Sequence, residues 1–238
     1  KLNSGSPTAN LYGNPDFGSD EGIRLKLVDL PGAEKEVKDL SAMMKREGWD
    51  VNAYTRTDAT ELELKGTDVQ PTVLHLATHG FFSDNDPILK KITPGHNPMF
   101  KSGLYLKGAI NAYANYQRGS IQESDNDGIL SSYEAMNLNL TETELVVLSA
   151  CETSLGDIEA GEGVYGLQRA FMVAGAQNII TSLIKVEDRA TQLMMSYFYQ
   201  NYLADGDAAS ALYKAQINLR QEFPDPRIWG AFVLTGKG

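Results

Sequence analysis

The chain has 238 residues, of which 42% are hydrophobic and 22% charged, with a formal net charge of −10. That composition belongs to a globular chain with a packed core and excludes a disordered or fibrous one; the acidic balance speaks against nucleic acid bound directly by this domain, because such binding needs Lys and Arg to displace counterions from phosphate. One cysteine and three histidines exclude an internal disulfide and a zinc site built on several thiolates, so no metal or other cofactor is expected. No run approaches the roughly 20 apolar residues of a membrane helix, and the opening Lys1-Leu2-Asn3-Ser4 is not a signal peptide; the expectation is a soluble, cytoplasmic chain with no membrane partner.

The chain opens without a methionine, on a Gly/Ser/Asn/Pro-rich stretch, and enters a strand at Leu11-Tyr12-Gly13-Asn14-Pro15, which reads as the C-terminal part of a longer protein. From Pro31 to Gly48 the apolar residues Val37, Leu40, Met43 and Met44 recur at three- and four-residue spacing and predict an amphipathic helix. Val51 to Tyr54 predicts a strand, Thr60 to Leu64 a short helix, and Val73-Leu74-His75-Leu76-Ala77 a buried strand ending at Thr78-His79-Gly80. The region 83–128 is expected to be a long loop or insertion, with a possible strand at Gly103 to Leu106 and a polar, mobile stretch from Asn111 to Gly128. Ile129 to Leu138 predicts a short helix, and Leu145 to Ala150 a second buried strand ending at Cys151. Helices follow at 163–175, 188–203 and 207–222, with strands at 178–183 and 229–234. Alternating strands and helices imply a single α/β domain over 1–238, its ordered core at about 11–234, layered around a mostly parallel sheet.

Two apolar strands thus finish in reactive side chains, His79 and Cys151. In open α/β sheets sites gather beyond the carboxyl ends of strands, and parallel neighbouring strands would bring the two residues together. A thiol is mostly protonated at neutral pH, so a nearby imidazole that accepts its proton makes it a nucleophile. The backbone N–H groups of Gly80 and Cys151 are candidates for an oxyanion hole. On spacing alone an inert buried cysteine remains the competing reading. His75, inside the apolar run, is read as a hydrogen-bonded core histidine and His96 as an exposed loop residue, neither being the base. Asp84-Asn85-Asp86 and Asp125-Asn126-Asp127-Gly128 are read as turns rather than calcium loops, and Gly161-Glu162-Gly163 lacks the Lys-Ser of a phosphate loop. Tyr197-Phe198-Tyr199 is read as helix core or a docking face.

Leu74-His75-Leu76-Ala77-Thr78-His79-Gly80-Phe81-Phe82, Asp127-Gly128-Ile129-Leu130, Val146 to Thr153 through Ser149-Ala150-Cys151-Glu152, Gly161-Glu162-Gly163-Val164, Leu167 to Phe171 and Trp229 to Leu234 together resemble the CHAT domain. That family is caspase-like, related to caspases and separase, and often fused to tetratricopeptide repeats. The resemblance implies a caspase-like three-layer sandwich and a cysteine endopeptidase with His79 as base and Cys151 as nucleophile, acting on a protein or peptide substrate. It also implies regulation by an N-terminal tetratricopeptide or sensor region in the same or a partner chain. Ser154 stands where many members have glycine, and Ile184-Lys185 replaces a common Trp-Pro or Trp-Lys pair. By position, Ser149 corresponds to a wall of the primary pocket and Asp188 to an acid that receives a basic P1 residue. A helix N-cap is the competing reading of Asp188, and a catalytically silent interaction module or a small-acyl hydrolase or transferase are the competing readings of the whole.

Overall fold

In the computed structural model the described residues are 6–20, 22–23, 25–66, 70–82, 89, 101–120, 126–149, 160–184 and 186–236, with backbone only for 160–164. Five parallel strands and one antiparallel edge strand form the main sheet. They are β1 (Thr8–Pro15), β2 (Asp50–Arg56), β3 (Val73–Ala77), β7 (Leu145–Leu148), β8 (Asn178–Ser182) and β9 (Phe232–Gly236), in the order β2-β1-β3-β7-β8-β9. A second, antiparallel sheet joins β4 (Gly80–Phe82), β5 (Ser102–Tyr105) and β6 (Ile129–Ser131).

The central strands β3 and β7 are apolar but for His75, because helices cover both faces of the sheet. On one face Ala9, Leu11, Val73, Val147 and Ile180 pack against α1 (Pro31–Arg46), α6 (Asp188–Asp205) and α7 (Ala208–Glu222) through Val37, Leu40, Met194, Phe198 and Leu212. On the other, Tyr12, Leu74, Leu76, Val146, Leu148 and Ile179 meet α2 (Glu61–Lys65), α4 (Ser132–Met136) and α5 (Ala160–Val173) through Leu64, Ala135 and Phe171. The result is the expected three-layer α/β sandwich. A third apolar cluster, including Phe17, Phe81, Tyr105, Ile110 and Tyr113, lies beside the small sheet with α3 (Ala109–Gln117).

Several local expectations are corrected. Residues 109–117, inside the span expected as a long loop, form α3, held by buried Ile110, Tyr113 and Ala114, while the strand suggested at Gly103 to Leu106 is β5. Ile129 to Ser131 is strand, paired with Gly103 to Tyr105, before the helix α4 begins. A Ser131–Glu134 capping box, with side chain and backbone bonded reciprocally, fixes that switch. Trp229 ends the short helix α8 (Pro226–Trp229), so the last strand starts only at Phe232.

The turn before β6 is tied to α2 through Glu61. Glu61, 2% exposed, accepts the Gly128 N–H at 2.6 Å and pairs with Lys65 at 2.9 Å. Lys65 also reaches Glu134 at 2.9 Å, and Asp127 accepts from the Tyr116 hydroxyl and from the Ile129 N–H. Burial is the main cause that raises the Glu61 carboxyl from 4.5 to about 7, against the pull of Lys65, and burial also raises Asp127.

Candidate active site

Strands β3 and β7 are parallel neighbours in register, His75 opposite Val147 and Leu76 opposite Leu148. The Ser149 N–H continues the ladder, donating to the Leu76 carbonyl at 3.0 Å. Thr78-His79 and Ser149 therefore leave the sheet side by side at its carboxyl edge, where both line one pocket. Cys151, two positions after Ser149 in the sequence, lies outside the described residues, as do His96, Asp84-Asn85-Asp86 and Asp125.

His79 is 2% exposed. Its Nε2–H donates to the Val28 carbonyl oxygen at 2.9 Å, and its ring rests on Phe17 with centroids 5.2 Å apart. That bond makes Nε2 a donor, since a carbonyl oxygen can only accept. The His79 carbonyl accepts the Tyr105 N–H at 2.8 Å, which makes 79 and 105 a hydrogen-bonded pair. By the alternation of antiparallel ladders Gly80, opposite Leu104, falls in a non-hydrogen-bonded pair with its N–H turned away from β5.

The pocket holds about 500 Å³ of empty space, its open mouth included. Its wall brings His79, Ser149 and Asp188 together with Gly32 and Glu36 of α1 and Thr191 and Gln192 of α6. Asp188 is the first residue of α6 and is exposed; the N-cap position belongs to Glu187, and neither side chain caps the helix. The capping reading of Asp188 is thereby corrected. Gly32 lets the two helices meet here, since a Cβ on it would stand 2.6 Å from Gln192 Nε2 and 3.4 Å from Asp188 Oδ2.

Two groups of this site went unread in the sequence. The Val28 carbonyl leaves no trace there, because every residue has one. Glu36 did leave a signal: His75, fully buried in β3, needs polar partners. It finds them in Glu36 Oε1, 2.8 Å from Nε2, and in the Tyr199 hydroxyl, 3.1 Å from Nδ1. His75 is the hydrogen-bonded core histidine that the sequence suggested. Tyr199 itself is part of the helix core, as one of the two readings of its cluster had it. Among the described residues no group of His, Cys, Asp and Glu is arranged to hold a metal ion, and no helix is long and apolar enough to cross a membrane.

Chemically, the arrangement offers an oriented imidazole, an outward backbone N–H one residue later and an acidic pocket beside them. Among solved structures, the crystal structure of the Arg specific cysteine proteinase gingipain R superposes with a TM-score of 0.49 at 8% identity, covering 98% of this chain and 46% of that one. Tetratricopeptide repeat protein 28 of Homo sapiens is 26% identical over 247 residues, and its Mus musculus counterpart 27% identical over 242. Each alignment takes in 98% of this chain but 10% of the relative, so the chain spans about a tenth of the length of the curated relatives it matches. The CHAT domain matches residues 3–237, nearly the whole sequence, and the chain belongs to that family.

Proposed function

We propose that the chain is a cysteine endopeptidase that cleaves a protein substrate through Cys151 and His79. The observation that carries the reading is the pairing of the two strand ends: His79, oriented by the Val28 carbonyl, shares a pocket wall with Ser149. Cys151 follows Ser149 by two residues, and two residues of chain reach no further than about 7 Å. His79 takes the thiol proton, and the Cys151 sulfur attacks the scissile carbonyl carbon. The oxyanion is met by the N–H groups of Gly80 and Cys151. Collapse breaks the C–N bond, the proton on His79 leaves with the amine, and water, deprotonated by His79, hydrolyses the thioester to free acid and thiol.

The pocket between α1 and α6 is the S1 pocket in this reading, with Ser149 as a small neutral wall, Asp188 at the mouth and a basic P1 side chain inside. A tetratricopeptide or other sensor region regulates access, consistent with the tetratricopeptide protein among its relatives, and the domain works in the cytoplasm. The test is reaction with acyloxymethyl ketone probes carrying Arg, Lys, Leu or Asp at P1, read by intact mass beside Cys151→Ala and His79→Ala. Adduct on Cys151 that requires His79 is the expected result. Silence from every probe, with and without the regulatory region, would instead mark a catalytically silent interaction module.

A further inference from the structure

We propose that Glu36 selects the substrate: its carboxylate closes the inner end of the pocket and takes the guanidinium of an arginine side chain, with the Ser149 and Thr191 hydroxyls as further acceptors. This deepens the peptidase reading above and rests on it. Gly32 and Glu36 are one turn apart on α1, and Asp188 and Gln192 one turn apart on α6, so two helical ridges face each other across the pocket. Their carboxylates differ in depth. Asp188 is exposed, whereas Glu36 is 4% exposed, so the inner carboxylate is the one that a bound side chain must satisfy.

Behind Glu36, His75 bridges Glu36 Oε1, 2.8 Å from Nε2, and the Tyr199 hydroxyl, 3.1 Å from Nδ1, in a buried network. Glu36 Oε1 is held by this bond, and no hydrogen bond engages Oε2 among the described residues. No Lys or Arg lines the pocket among those residues.

A second, independent observation points to a polar ligand. Among the described residues Ser149 Oγ and Thr191 Oγ1 are buried without hydrogen-bond partners, on residues 8% and 7% exposed, and both residues line this pocket. Hydroxyls left so cost about 1–3 kcal/mol each, and a donor-rich ligand relieves both. Acceptors thus stand on β7's end, α1 and α6. A guanidinium presents five N–H donors in a plane, an ammonium three from a single point. The spread of acceptors fits the guanidinium.

The test compares rates of Cys151 modification by Arg, Lys and Leu probes in the parent chain and in Glu36→Gln, which keeps an acceptor for His75. In the parent we expect Arg ahead of Lys and Leu. In Glu36→Gln the Arg-to-Leu ratio falls about 10- to 100-fold, the size of one charge-assisted hydrogen bond. An Arg preference that survives the substitution, or a parent that prefers Leu or Asp, overturns the proposal. Should Glu36→Gln fail to fold, Gly32→Ala, whose Cβ would stand 2.6 Å from Gln192 Nε2 and 3.4 Å from Asp188 Oδ2, narrows the pocket without changing Glu36, and an unaltered ratio there overturns it equally. If no probe modifies the parent, with or without the regulatory region, the peptidase reading fails by itself. Agmatine binding by NMR then decides the pocket: stronger than cadaverine and lost in Glu36→Gln supports Glu36, and equal or absent binding refutes it.

Discussion

Replacing Glu61 with glutamine should change how stability depends on pH. In the folded chain the carboxyl keeps its proton up to about pH 7, against an ordinary value of 4.5. Between those values the folded state holds more protons than the unfolded state, so stability falls as pH rises through the interval and the loss is complete above about pH 7. At about 1.36 kcal/mol for each unit of pKa, the change amounts to about 3 kcal/mol. Glu61→Gln also disturbs the bonds to Gly128 and Lys65, but that cost does not vary with pH. The quantity to measure is therefore the difference in unfolding free energy between parent and variant, by urea titration at about pH 5, 6, 7 and 8. It should shift by about 3 kcal/mol toward the variant across that range. Asp127, also raised by burial, leaves part of the slope in both proteins. Parallel curves, with a difference constant to within about 1 kcal/mol, would refute a carboxyl held neutral by burial.

Other substitutions test the scaffold. Phe171→Ala empties a fully buried position of α5 beneath the sheet and should cost about 3–5 kcal/mol in chemical denaturation. Asp207 caps α7 by accepting from the Ala209 and Ser210 N–H groups at 2.9 and 3.0 Å, so Asp207→Ala should cost about 1 kcal/mol. Gly128 has φ +87°, and a Cβ there would stand 2.3 Å from the Lys107 carbonyl oxygen, whereas Gly48 has φ +82° in open space. Gly48→Ala should cost about 1 kcal/mol from backbone strain alone, and Gly128→Ala clearly more, read as a larger drop in melting temperature.

The main sheet was legible because its strands are buried on both faces: Val73–Ala77, Leu145–Leu148 and Asn178–Ser182 read as short apolar runs. Of the small sheet only β5 was, as the strand suggested at Gly103 to Leu106. Its strands are three or four residues long, too short for a period to develop, and Ile129–Ser131 merges in sequence with the helix that follows. Helix α3 hid behind Asn111, Asn115 and Gln117, its buried residues being few. At the candidate site His79 and Ser149 could be found as strand endings, because a strand end fixes where a side chain emerges. Asp188 could be found only by its position in the family pattern, and the structure adds that it is exposed. Glu36 stands among the charges between the apolar residues of α1, where a helical carboxylate is usually outside; only the tertiary approach of His75 shows that it is buried.

The contact that orients His79 comes from a main-chain carbonyl, while the Val28 side chain that accompanies it is 63% exposed. An alanine scan would therefore pass over this position without registering it, and an inventory of the candidate site by side-chain deletion would come out one member short. The group becomes visible only to chemistry that edits the backbone, such as an ester in place of the amide after Val28, which weakens the carbonyl as an acceptor and leaves every side chain in place.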